Sequence, residues 1–256
     1  MGIEDLKRCA GILGKSARGE VNCQSHFDLK GTRMPEGPEL FEMIDHYIND
    51  LFAPADDAMA FSLREARTSG LPEIQVTPGQ GKFIYLLAKI VGARRILEVG
   101  TLGGYSTIWL ARALPEDGRL ITLEIDGAHA RVAASSIARA GMSSKVEIIV
   151  GSAIQTLPTV CEKADAPFDL VFIDADKVNY PTYLGHIMKS VRSGSLILAD
   201  NVIRKGAVLA PRPDDPNAEG ARAFNVLIAA DERLEAIILQ QVGVKGHDGL
   251  AIARVK

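Results

Sequence analysis

The chain has 256 residues, 47% of them hydrophobic and 5% aromatic, with a formal net charge of -3. That is enough apolar material for one large α/β domain or two small ones. Sparse aromatics, and the lack of a basic stripe or an acidic tail, argue against nucleic-acid and membrane partners. Three scattered cysteines (Cys9, Cys23 and Cys161) lack metal-ligand spacing and fit a reducing cytoplasm better than a disulfide framework. No apolar run is long enough to span a bilayer, and the N-terminus shows no signal-peptide core.

Residues 1–33 are of mixed polarity with weak periodicity. They read as a disordered or adventitious extension; an arm that packs on a partner subunit is the other reading. Residues 34–256 read as a single domain, with N-terminal helices over 34–70 and the core over 71–256. The spacing of Leu40, Met43, Ile44, Tyr47, Ile48 and Leu51 predicts a helix with one apolar face, and the helical pattern runs from Pro38 to about Arg67. Gly70-Leu-Pro-Glu breaks it, and a second helix is expected from Gly79 to Val91.

Strands and helices then alternate. Strands are expected at 95–100, 120–125, 146–150, at the run ending in Asp174 and at the run ending in Asp200. Helices are expected between them, near 105–113, 128–140, 153–162 and 180–191, and again at 219–230. Such alternation means a parallel, doubly wound sheet with helices on both faces. The last two strands, 234–242 and 249–255, have no helix between them and are expected to form an antiparallel hairpin. Arg212–Glu219 reads as a mobile loop.

The chemistry is expected at the strand ends. Phe168-Asp-Leu-Val-Phe-Ile-Asp174 and Leu196-Ile-Leu-Ala-Asp200-Asn201 are short apolar runs that stop abruptly in oxygen-bearing side chains. In open α/β sheets that edge is where ligands bind. Asp174, Asp200 and Asn201 together make an all-oxygen site for magnesium, calcium or manganese, with no His or Cys to favour zinc. Taken singly, each such Asp also suits a helix cap or a turn. Beside a divalent cation the ammonium form of Lys177 would be disfavoured, which suits it to work as a general base. Gly100-Thr-Leu-Gly103-Gly104 is a glycine-rich turn from strand to helix, but not the G-x-G-x-x-G of dinucleotide folds. Glu124, at the end of the next strand, could accept both hydroxyls of a ribose. Turn and acid together fit an adenosine-bearing cofactor.

With these residues in place the chain resembles the cation-dependent, S-adenosylmethionine-dependent O-methyltransferases: catechol O-methyltransferase, the plant caffeoyl-CoA enzymes and their bacterial relatives. The resemblance runs from about Ile74 to the C-terminus. It rests on Glu98-Val-Gly-x-x-x-Gly104-Tyr-Ser106, Ala113-Leu-Pro-Glu-Asp-Gly118, Ile173-Asp-Ala-Asp-Lys177-x-x-Tyr180, Asp200-Asn201-x-x-x-x-Gly206-x-Val208 and Asp248-Gly249-Leu. It implies a Rossmann-like class I methyltransferase fold, with seven strands, the last reversed. It implies that Glu98, Gly100, Gly104, Tyr105 and Ser106 hold the methionine and ribose side of the cofactor, that Glu124 binds the ribose hydroxyls, and that Ser152 and Ala153 contact the adenine. Val76 would cover the methionyl end. Asp174, which would also touch the cofactor, would bind the metal with Asp200 and Asn201, and Lys177 would be the base.

The implied reaction is methyl transfer from S-adenosylmethionine to a hydroxyl of a catechol-like phenolic acceptor, with magnesium as the first-choice cation, in a cytoplasmic homodimer. A catalytically silent cofactor-binding protein of the same fold is the alternative. Two departures stand out. Leu102 and Gly103 replace the usual aromatic residue and Thr of the glycine turn. Arg204 replaces a plant-enzyme Trp that packs on the acceptor, and could instead pair with an anionic acceptor.

Overall fold

The computed structural model describes residues 35–256, so the expected extension over 1–33 lies outside the described residues. Residues 37–256 form one compact unit. Its helices are α1 (Pro38–Phe52), α2 (Asp57–Thr68), α3 (Pro78–Ile90), α4 (Tyr105–Ala113), α5 (Gly127–Arg139), α6 (Ala153–Lys163), α7 (Tyr180–Ile187) and α8 (Pro216–Ala230). Its strands are β1 (Arg95–Val99), β2 (Arg119–Glu124), β3 (Val146–Val150), β4 (Phe168–Ile173), β5 (Val191–Ala199), β6 (Leu234–Gly243) and β7 (Gly246–Val255). Among the described residues, no helix is long and apolar enough to cross a membrane.

The strands form one seven-stranded sheet in the order β3-β2-β1-β4-β5-β7-β6. β1 pairs in parallel with β2 and β4, and β5 in parallel with β4; only β7 runs against its neighbours β5 and β6. The order reverses between β1 and β4, and such a switch point opens a crevice at the carboxyl ends of the strands.

β4 is buried along its whole length. Its side chains alternate between two cores: Val171 and Ile173 pack with Leu97, Val99, Tyr180 and Phe224 on one face. Leu170 and Phe172 pack with Ile84, Ile96, Ile108 and Leu198 on the other. Helices on both faces therefore leave this strand no solvated side, which is why its sequence is a continuous apolar run. Each such side chain contributes about 1.5–3 kcal/mol by burial. Truncating Phe172 to Ala would cost about 3–5 kcal/mol.

The structure departs from the sequence expectation in three places, the smallest being the helix expected near 180–191, which ends at Ile187 so that Val191 opens β5. The single helical stretch expected from Pro38 to about Arg67 is two helices. Pro54 offers no N–H and disfavours helical backbone at Ala53, and the Asp56 side chain then starts α2 by accepting from the Met59 N–H at 2.9 Å. The loop expected over Arg212–Glu219 stops at Asp215, because Asp215 caps the Ala218 N–H at 2.9 Å and Pro216 opens α8.

The expected apolar face of α1 is present, but α1 buries none of its residues; Ile44, Leu51 and Phe52 are all exposed.

Candidate active site

The residues singled out above collect at the carboxyl edge of the sheet. Gly100–Gly104 follows β1, Glu124 ends β2, Ser152 and Ala153 follow β3, Asp174–Lys177 follows β4, and Asp200 and Asn201 follow β5. The backbone of Gly100, at φ +104°, runs so close to the end of β4 that a Cβ there would sit 2.1 Å from the Asp174 carbonyl oxygen. A side chain at this position would push the glycine turn and the acidic turn apart.

Glu124 ties that turn down. One carboxylate oxygen accepts from the backbone N–H of Thr101 at 3.2 Å and of Leu102 at 2.7 Å; the other accepts from Asp126 N–H at 3.0 Å. Glu98 lies one layer deeper. It is fully buried and accepts hydrogen bonds from the hydroxyls of Ser106 (2.6 Å), Thr107 (2.5 Å) and Thr122 (2.7 Å). Burial pushes its carboxyl up to about 7, against the pull of those hydroxyls. Glu98 is absent from the cavity walls, so the structure places it behind Ser106, holding the first turn of α4.

The acidic turn carries the densest chemistry. The Lys177 ammonium donates to Asp174 Oδ1 at 2.9 Å and is buried. Its backbone N–H donates to Asn217 Oδ1 at 3.0 Å, and that of Val178 to the same oxygen at 3.3 Å. Gly220 of α8 permits this packing: a Cβ there would lie 2.3 Å from the Lys177 carbonyl oxygen. Tyr180 Oη donates to the carbonyl oxygens of both Ile173 and Asp200, each at 3.1 Å. Asp248 Oδ1 accepts from the backbone N–H of Ile203, Arg204 and Gly249 at 2.9–3.0 Å, which fixes the turn after Asn201. Asn201 itself sits at φ +55°, a conformation its short amide side chain tolerates.

Asp200 is buried, and burial together with the charge of Asp174 pushes its carboxyl up to about 7. Among the described residues no group of three or more His, Cys, Asp or Glu gathers as a metal cluster. The set here is instead two carboxylates and an amide. Two mutually repelling carboxylates beside an amide oxygen are hard donors, and a divalent cation between them would relieve the repulsion. The residues present therefore fit such an ion.

Three cavities open around this cluster. One of about 390 Å³ is lined by Gly100, Tyr105, Ser106, Asp174, Lys177 and Arg204. One of about 380 Å³ is lined by Glu124, His129, Ser152, Ala153, Asp176 and Tyr183. One of about 400 Å³ is lined by Gln80, Phe83, Asp200, Asn201, Val242 and Lys245. Ile74 lines all three, and Val76 the first and third. Arg204 faces the glycine-turn cavity, and its Nε is buried without a hydrogen-bond partner.

Sequence reasoning assigned no role to Ile74, Tyr180, Asn217 or Asp248. Tyr180 and Asp248 stand inside motifs quoted above, so their positions carried a signal. Asn217 carried none, because its partner lies 40 residues away.

The family model described as O-methyltransferase matches residues 54–256. Catechol O-methyltransferase of Niastella koreensis is 51% identical over 218 residues, which is 85% of this chain and 99% of that protein. Catechol O-methyltransferase of Mycobacterium tuberculosis is 45% identical over 213 residues, 83% of this chain and 95% of that protein. The crystal structure of the O-methyltransferase from Bacillus cereus in complex with SAH matches with a TM-score of 0.83 at 45% identity, covering 86% of this chain and 100% of that one. The sheet order with its reversed β7 is the class I methyltransferase fold. The chain belongs to the O-methyltransferase family.

Proposed function

We propose that this enzyme transfers a methyl group from S-adenosylmethionine to one hydroxyl of a catechol-like acceptor, with a divalent cation, magnesium first, at Asp174, Asp200 and Asn201. The observation that carries the reading is the pairing of Lys177 Nζ with Asp174 Oδ1 at 2.9 Å, in a cluster with buried Asp200 where three cavities meet. The bacterial catechol O-methyltransferases described above support the acceptor class, and the SAH complex of the Bacillus cereus protein supports the donor.

The chain's own residues divide the work. Gly100, Gly104, Tyr105 and Ser106, with Val76 over them, hold the methionyl end of the donor. Glu98 keeps Ser106 in place. Glu124 takes the ribose hydroxyls, and Ser152 and Ala153 take the adenine. Asp174, Asp200 and Asn201 would hold the divalent cation, whose charge would lower the pKa of a nearby acceptor hydroxyl. Beside that charge the ammonium form of Lys177 would be disfavoured, and as the neutral amine it would take the hydroxyl proton. Transfer is then an in-line displacement at the methyl carbon, and the chain's contribution is to hold oxygen, carbon and sulfur aligned at about 3 Å contact. Arg204 lines the glycine-turn side, where its guanidinium charge would attract an anionic group.

α1 contacts the edge strand β6, and Ile44, Leu51 and Phe52 on α1 are exposed, as are Ile237 and Leu239 on β6. Exposed apolar side chains on a helix and an edge strand suit a self-complementary interface, and a homodimer is part of the proposal; a monomer in sedimentation experiments would remove it.

The reaction is tested by methyl transfer from labelled S-adenosylmethionine to catechols, with magnesium and with excess EDTA. Turnover that stops in EDTA supports the whole reading. Turnover indifferent to EDTA removes the metal site at Asp174, Asp200 and Asn201. No turnover in either condition favours a silent cofactor-binding protein.

A further inference from the structure

The third cavity is lined in part by Lys245, which belongs to no motif that the sequence singled out. Asp200 and Asn201 lie at one side of it, and Lys245 of the β6–β7 turn lines it as well. Ile74, Val76, Phe83 and Val242 in the same lining supply apolar surface suited to an aromatic ring. Pairing of β6 with β7 continues in register to Gly243 and Gly246, so Val244 and Lys245 are the whole turn. The turn is fastened to α1, where Asp45 accepts from the Val244 N–H at 3.2 Å. A lysine on a two-residue turn anchored in this way has a fixed origin, unlike one on a long loop.

The Lys245 ammonium has three donors. Among the described residues one is spent on the carbonyl oxygen of Gln75, and none of the ion pairs includes Lys245. The residue is exposed and lines the cavity, yet desolvation pushes its pKa below the ordinary lysine value, against the pull of Asp174, Asp200 and Glu73. Arg204, the cation that the sequence offered for an anionic acceptor, faces the glycine-turn cavity, on the donor's side.

We propose that Lys245 selects carboxylated catechols, pairing with the acceptor's carboxylate when its hydroxyls lie at Asp200 and Asn201. The inference rests on the methyl-transfer reading above and narrows its substrate class. A charge-assisted hydrogen bond at that end discriminates against the neutral catechol, whose ring leaves the ammonium unpaired.

The test compares catechol with 3,4-dihydroxybenzoate and caffeate, for the wild type, Lys245→Gln and Lys245→Arg, with magnesium present. Lys245→Gln is expected to raise KM for at least one carboxylated acceptor about tenfold or more. Its kcat, and KM for catechol, should stay within about twofold, and Lys245→Arg should retain most of the selectivity. Equal losses on catechol and on the acids would mean that Lys245 acts only through Gln75 and the fold, and would overturn the proposal. Loss of selectivity in Arg204→Leu but not in Lys245→Gln would overturn it too. Calorimetric titration with the same three acceptors separates this inference from the reaction itself. Tighter binding of an acid than of catechol, lost in Lys245→Gln, supports the inference even in a chain that transfers no methyl group. Equal or absent binding of acid and catechol by the wild type overturns it whatever the turnover.

Discussion

The phenol of Tyr180 spans two strand ends, reaching the carbonyl oxygen of Asp200 at 3.1 Å while also holding that of Ile173, the residue before Asp174. One hydroxyl thus sets the spacing of the two acidic turns. It is itself locked by burial and by an edge-on contact with Phe224 at 5.5 Å between ring centroids.

Tyr180→Phe removes the hydroxyl and little else. Two buried carbonyl oxygens lose a donor, which costs about 1–3 kcal/mol of stability. Magnesium affinity, read from the metal dependence of turnover, should weaken about ten- to a hundredfold, as expected when support behind a ligand is lost. Unchanged metal dependence would show that the strand ends keep their spacing without Tyr180.

Lys177→Ala should cut kcat by roughly 10²–10⁴ while donor binding, measured by calorimetry, stays near the wild-type value. Near-normal kcat would remove Lys177 as the base.

Gly220→Ala tests the support of Lys177 from a distance. The added methyl falls against the Lys177 and Val178 backbone, so the lysine turn must move. A displacement of about 1 Å costs about 10²-fold in kcat. The fold should survive, with a lowered melting temperature. A variant with full activity would mean that α8 gives way instead.

Stability should fall with rising pH near neutrality. Glu98 and Asp200 both have folded values of about 7, above their ordinary 4.5 and 3.8. The native state therefore binds more protons than the unfolded chain between those limits, so protonation favours folding and stability drops as pH rises from about 5 to about 8. Asp231 and Asp126, held in the opposite direction, titrate below that window. In EDTA the melting temperature should be lower at pH 8 than at pH 6, and magnesium at pH 8 should restore the Asp200 share. A flat or rising profile in EDTA would contradict the burial account.

The strand ends were legible because β4 and β5 are apolar runs terminated by acids, and burial on both faces writes that pattern directly into sequence. The hairpin was legible from the missing helix between β6 and β7. The break between α1 and α2 was harder: apolar spacing continues past Pro54, and periodicity alone gives no end point. Supports such as Asn217 for Lys177 and Asp248 for Arg204 join residues 40 and 44 positions apart, and no local spacing encodes such pairs. Lys245 was missed for a related reason, since a turn lysine looks like any solvated charge until the hairpin carries it to a cavity.

The segment bearing Ile74 and Val76 belongs at once to the walls of the glycine-turn cavity and of the cavity beside Asp200. Two ligands that lean on one wall do not bind independently. Whatever factor the first to arrive adds to the affinity of the second, the second must return to the first. Residues 74–76 are thus where donor and acceptor would sense each other's occupancy.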